Sequence, residues 1–124
     1  MADSDILVVD DDADIRYALR QALELEGYEV ALAANGREAW ESLRSPPPPA
    51  LILLDLMMPV MNGAEFLGLL RGDARLRTVP VILVTAFGSA AASVAAESQG
   101  CLAKPLDLDQ LIRLASRYCP PRPS

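Results

Sequence analysis

A chain of 124 residues carries about one domain's worth of sequence and can bury roughly two-thirds of its unfolded surface in a single core. With 52% hydrophobic and 23% charged residues it is neither disordered nor fibrous, and its longest apolar runs, ending at Asp55 and around Thr85, fall well short of the ~20 residues that cross a bilayer. Seventeen acidic against eleven basic residues give a net charge of −6, which argues against binding nucleic acid, and the lack of any histidine excludes Ser-His-Asp triads, His-ligated zinc and a phosphohistidine of its own.

The start, Met1-Ala2-Asp3-Ser4-Asp5, has no basic leader and Ile6–Val9 is too short for the core of a signal peptide, so a cytoplasmic protein is expected. Ile6-Leu7-Val8-Val9 is a continuous apolar run ending in Asp10-Asp11-Asp12, the pattern of a strand buried on both faces. Ile15, Ala18, Leu19, Ala22 and Leu23 recur at helical spacing, so a helix opens at Asp12 or Ala13 and stops at Gly27. Tyr28 to Ala33 predicts a second strand, Asn35-Gly36 a turn, and Arg37 to Ser45 a short helix stopped by Pro46-Pro47-Pro48-Pro49. On that helix Trp40 is read as a half-exposed cover residue.

Leu51-Ile52-Leu53-Leu54 repeats the first-strand pattern and again ends on an acid, Asp55, before a loop marked by Pro59 and Gly63. Phe66, Leu67 and Leu70 form a helical stripe, and Val81-Ile82-Leu83-Val84 is another apolar strand, ending on Thr85. Ser89 to Ser98 reads as an Ala-rich helix and Cys101-Leu102-Ala103 as a short strand ending on Lys104-Pro105. Leu108, Leu111, Ile112, Ala115 and Tyr118 mark the face of a last helix. Cys101 and Cys119 are read as reduced packing thiols, and Met57, Met58 and Met61 as gap fillers. Five βα repeats with apolar strands imply a parallel sheet covered on both sides. Residues 1–119 form the expected domain and 120–124 a Pro-rich C-terminal tail or linker stub.

In such a sheet all strands end on one edge, where ligands bind. Asp10 and Asp11, Asp55, Thr85 and Lys104 each follow or end a strand, so three carboxylates, a hydroxyl and an ammonium should gather there. Carboxylates ~4 Å apart repel by about 4 kcal/mol at an effective dielectric near 20, so cations belong among them. Lys104 supplies one charge, and Mg2+, a hard ion content with few carboxylates and a phosphate, suits the rest. A carboxylate nucleophile beside a metal, with Thr and Lys to bind the remaining oxygens, is equipment for phosphoryl transfer.

Val8-Val9-Asp10-Asp11, the stretch Asp55-Leu56-Met57-Met58-Pro59 with Gly63 eight residues after the Asp, Thr85-Ala86 and Lys104-Pro105 together resemble the receiver domain of two-component response regulators. The resemblance covers essentially the whole chain. It implies that Asp55 is the phosphoacceptor, that Mg2+ is held by Asp11, by Asp10 through water, by Asp55 and by the Met57 carbonyl, and that Thr85 and Lys104 bind the phosphoryl group. The implied donor is a histidine kinase or histidine phosphotransfer protein. The implied listener is an output protein or a domain outside this chain, with no direct nucleic acid and no membrane insertion. The resemblance also implies turnover limited to the domain's own phosphorylation and dephosphorylation, and so a protein that is not an enzyme in the ordinary sense. The fold expected is an α/β, flavodoxin-like (βα)5 sheet, five parallel strands in order 2-1-3-4-5 with helices on both faces.

Two positions depart from the family pattern. Cys101 stands where an aromatic switch residue is usual, and Gly100 directly before it shortens the stretch between Thr85 and Lys104. These departures motivate a second reading, a receiver-like binding module not controlled by phosphorylation. A third is a haloacid-dehalogenase-type phosphatase with Asp10 as nucleophile and Asp12 as acid. Against it, no cap domain fits in this length and Asp55 has no role.

Overall fold

A computed structural model of the chain describes residues 5–45, 47–55, 61, 63–85, 100–103 and 107–119. In chain order the elements are β1 (Ile6–Val9), α1 (Ala13–Leu25), β2 (Val30–Ala33), α2 (Gly36–Ser42), β3 (Leu51–Asp55), α3 (Gly63–Gly72), β4 (Val81–Thr85), β5 (Gly100–Ala103) and α4 (Leu108–Tyr118). The strands form one sheet in the order β2-β1-β3-β4-β5, and every pair is parallel. The arrangement is flavodoxin-like. The helix expected over Ser89–Ser98 lies outside the described residues.

The continuous apolar runs have a direct consequence in packing, because a strand's successive side chains point to opposite faces. Leu7 and Val9, Ile52 and Leu54, and Val81 and Leu83 join Phe66, Leu67 and Leu70 of α3 and Ala39 of α2 in one core. Ile6 and Val8, Leu51 and Leu53, and Ile82 join Leu19 and Leu23 of α1 and Leu111 and Ala115 of α4 in the other. A strand with polar residues on one face would leave one of these cores open.

Helix ends are fixed by side chains close in sequence. Asp12 is the N-cap of α1, and its Oδ1 accepts the N–H groups of Asp14 at 2.9 Å and Ile15 at 3.3 Å. At the other end Gly27 adopts φ 94°, a left-handed conformation cheap only for glycine. Gly27 N–H donates to the Glu24 carbonyl at 3.0 Å and Tyr28 N–H to the Leu23 carbonyl at 3.2 Å, the paired bonds of a Schellman ending. Tyr28 is thereby spent on closing the helix, which is why β2 begins at Val30 and not at Tyr28 as the sequence pattern suggests.

The second helix is also shorter than expected. It begins at Gly36, one residue earlier, because Asn35 caps it, accepting Glu38 N–H at 2.8 Å while Glu38 Oε1 accepts Ala34 N–H at 2.9 Å. It ends at Ser42, three residues before Ser45. Ser42 Oγ donates to the Ala39 carbonyl, and Arg75, from the turn after α3, donates to the Leu43 carbonyl at 3.2 Å, so the chain leaves the helix with those acceptors occupied. Two positions assigned to buried faces are exposed: Ala18, beside Tyr17 on the outer side of α1, and Leu108, which opens α4 one turn before its first buried residue, Leu111.

Candidate functional site

β1 and β3 lie side by side in the sheet and both end in acid. Asp10 directly follows β1 and Asp55 is the last residue of β3, and their strands run in register from Ile6–Leu51 to Val9–Leu54. The two carboxylates are only 2% and 3% exposed, whereas Asp11, one residue further along, is exposed. One ligand oxygen from each of Asp10, Asp11 and Asp55 lies within 4.8 Å of the other two.

The backbone around Asp10 is held from three sides. Its N–H donates to the Ala33 carbonyl of β2 at 3.1 Å, extending the ladder past β1. Its Oδ1 accepts Asp12 N–H at 2.9 Å, closing a tight turn. Its carbonyl oxygen accepts from Arg16 Nη1 at 2.8 Å. Arg16 was not among the residues expected at the site. The signal for it is its place one turn into α1, since helical side chains lean back towards the N-terminus and so over the Asp10 turn.

Two buried carboxylates no further apart than this repel by at least about 3.5 kcal/mol at an effective dielectric near 20. The donor set, three carboxylate groups and no sulfur or imidazole, is that of a hard cation bound through oxygen. The group is therefore suited to hold a metal ion next to a carboxylate that can act as nucleophile.

The remaining expected site residues are placed less fully. Thr85 ends β4, one residue beyond Val84, which is the partner of Asp55 in the sheet, and Thr85 is itself paired with Ala103 of β5. That puts its backbone at the same edge as the acids; its side chain lies outside the described part of the structure. Lys104, next after Ala103, and Met57 lie outside the described residues. Cys101 is paired through its backbone with Leu83. Asp12 and Asp14 serve α1, as its N-cap and as a first-turn charge.

An open parallel sheet with an acid triplet at the carboxyl ends of its first and third strands is the architecture of a receiver. The response regulator receiver domain family matches residues 6–116. The chain belongs to this family. It is 41% identical to response regulator Rre1 of Synechocystis sp. over 110 residues, 86% of this chain and 47% of that protein, and equally identical to response regulator MprA of Mycobacterium tuberculosis, of which it covers 46%. The chain thus spans about half the length of these two response regulators. An uncharacterized 14.6 kDa protein of Leptolyngbya boryana is 43% identical and is covered over 92% of its length.

Among solved structures, chemotaxis protein CheY4 of Vibrio cholerae superposes with a TM-score of 0.84 at 31% identity, covering 94% of this chain and 99% of that one. TrrA of Thermotoga maritima, solved in complex with Mg2+-BeF, gives 0.81 at 32% identity, covering 91% and 96%. Family membership selects the receiver over the phosphatase alternative. The protein is a receiver domain of two-component response regulators, with the acidic cluster typical of the phosphorylation site. No helix among the described residues is long and apolar enough to cross a membrane.

Proposed function

We propose that this receiver takes a phosphoryl group onto Asp55 with Mg2+ held by Asp10, Asp11, Asp55 and the Met57 carbonyl, and that the phosphorylated form changes which protein surface the domain presents. The observation that carries the assignment is the meeting of the three carboxylates within 4.8 Å at the sheet edge. The Mg2+-BeF complex of the similar Thermotoga protein supports the same ligand class. When bound, the ion offsets the charge that gathers as phosphorus approaches the acids.

An Asp55 carboxylate oxygen attacks the phosphorus of a phosphohistidine on a partner kinase or phosphotransfer protein. The new O–P bond forms as the P–N bond breaks, and the electron pair leaves with the imidazole, which takes up a proton. Asp55 comes from the end of a central, fully buried strand, so its carboxylate is oriented before the donor arrives. Asp10 is fixed by the Asp12 N–H, and Arg16 fixes the backbone beneath it. Thr85 and Lys104 are assigned to the transferred oxygens, with hydrolysis of the acyl phosphate as the domain's own return step. The unit proposed is residues 1–119, acting in the cytoplasm and speaking to an output protein or domain beyond this chain through the 120–124 tail or through its surface.

The test is intact mass after incubation with acetyl phosphate, with Mg2+ and with EDTA, for the parent and Asp55→Ala. A base-labile gain of one phosphoryl group that requires both Mg2+ and Asp55 is the expected result. A folded parent that gains nothing under either condition would move the assignment to a binding module that phosphorylation does not control.

A further inference from the structure

Of the three acids that meet at the sheet edge, two are placed by the sheet and one is not. Asp55 ends β3, Asp10 is tied to β2 through its N–H, and both are buried. Asp11 is exposed, lies past the end of β1, and its side chain has no hydrogen-bond partner among the described residues. Its carboxylate is therefore aimed by the backbone that carries it.

That backbone is closed by a ring of three hydrogen bonds. Asp10 Oδ1 accepts Asp12 N–H at 2.9 Å, the Asp12 carbonyl accepts Arg16 N–H at 3.0 Å, and Arg16 Nη1 returns to the Asp10 carbonyl at 2.8 Å. The last bond bears directly on Asp11. The Asp10 carbonyl belongs to the peptide unit that joins Asp10 to Asp11, and because that unit is planar, holding its oxygen also fixes the N and Cα of Asp11. Arg16 is half-buried and reaches the oxygen with one arm of a rigid, charged fork, a stronger bond than one between neutral groups. The Asp12 N–H closes the turn through the Asp10 side chain and does not touch this oxygen.

We infer that Arg16 is the positioning residue for Asp11: by holding the carbonyl of the Asp10–Asp11 peptide it sets the direction from which the exposed acid of the cluster meets the metal. The inference rests on the receiver reading proposed above, in which Asp11 is a ligand. Groups that orient a ligand without touching the ion account for about ten- to a hundredfold in metal affinity. A guanidinium acting through its charge alone would do the opposite, because it repels a dication. The sign of the effect thus separates orientation from electrostatics.

The experiment titrates Mg2+ without any phosphodonor into the parent, Arg16→Met, Arg20→Met, Asp11→Ala and the Arg16→Met/Asp11→Ala double variant, followed through the amide shifts of residues 10–13. Arg16→Met keeps an apolar stem and loses both donor and charge. It is expected to raise the half-saturating Mg2+ concentration by about tenfold or more. Arg20→Met removes the same charge one turn further along α1, where the guanidinium lies 5.1 Å from the centre of the Tyr17 ring, and should leave that concentration within about twofold of the parent's. In the Asp11→Ala background, Arg16→Met should add less than about twofold, because the residue it acts through is already gone.

A folded Arg16→Met with the parent's Mg2+ requirement, or a lower one, overturns the inference. So does an equal loss in Arg20→Met, or a loss that multiplies with that of Asp11→Ala. Should Arg16→Met fail to fold, Arg16→Lys decides: it keeps the charge on a flexible stem without the fork, and should raise the requirement by about threefold or more, the parent's value overturning the inference. A parent that binds no Mg2+ is a different failure: it removes the receiver reading and this inference with it.

Discussion

The turn that starts α1 and the turn that starts α4 are built alike, yet among the described residues only the first adjoins the acidic cluster. Asp12 accepts from Asp14 and Ile15 at 2.9 and 3.3 Å; Asp107 accepts from Asp109 and Gln110 at 3.0 and 3.3 Å. Both are Asp-x-Asp segments with an exposed capping carboxylate. The difference lies before the cap. Asp10 and Asp11 precede Asp12, and β3 delivers Asp55 to meet them. A helix start neutralises its own acid with its own N–H groups. It becomes a site where a neighbouring strand supplies another acid that those groups do not reach.

The largest effect that would test this contrast is on chemistry. Asp11→Asn should lower Mg2+-dependent phosphorylation from acetyl phosphate by about a hundredfold or more, since a ligand is worth at least as much as the groups that support it. Asp109→Asn, the exposed acid in the matching turn, should leave the rate within about twofold, the change expected of a solvated charge. Equal losses, read by the same mass assay, would break the distinction.

Stability gives the next test, with the two turns expected to agree. Asp12→Ala and Asp107→Ala should each cost about 1 kcal/mol, a melting temperature lower by a few degrees, because each removes one helix cap. A markedly larger loss at Asp12 in denaturant titration would mean that its cap also holds the acid cluster in place.

The smallest effect sits at the far end of α1, where the helix closes on an apolar residue instead of opening on an acid. The Tyr28 hydroxyl is buried and has no hydrogen-bond partner among the described residues. Burial raises its pKa above the usual phenol value, with further pushes from Cys119, Glu26 and Asp5. The folded state keeps this proton to higher pH than the unfolded state does. The Tyr28 contribution is therefore whole below about pH 10 and is lost as pH rises from there towards the folded value. Tyr28→Phe should abolish that part of the alkaline loss and leave stability near neutrality unchanged or up to about 1 kcal/mol higher, checked by unfolding at pH 8 and pH 10.5.

What the sequence made legible was what depends on neighbours along the chain. The runs Ile6–Val9, Leu51–Leu54 and Val81–Val84 announce buried strands, and the acids after the first two announce a shared edge, since parallel topology does the rest. Asp12 as a cap and Gly27 as a stop follow from local conformational preference. The misplaced boundaries arose where a residue serves two elements. Tyr28 has strand composition and closes a helix, and Leu43 has helical composition and offers its carbonyl to Arg75, 32 positions away. Arg16 on Asp10 is local, six positions apart, yet was not legible, because the contact follows from the turn by which α1 leaves β1, which neither composition nor apolar spacing marks.

The division of β1 between two cores has a further meaning. Leu7 and Val9 are read by the helices on one side, Ile6 and Val8 by those on the other, and Asp10 follows in the next place of the same alternation. Slipping the strand by one residue would exchange the contents of the two cores and at the same step carry Asp10 away from its place beside Asp55. Packing and chemistry thus share a single reading frame, and the apolar letters of a four-residue strand proofread the position of the acid that follows them.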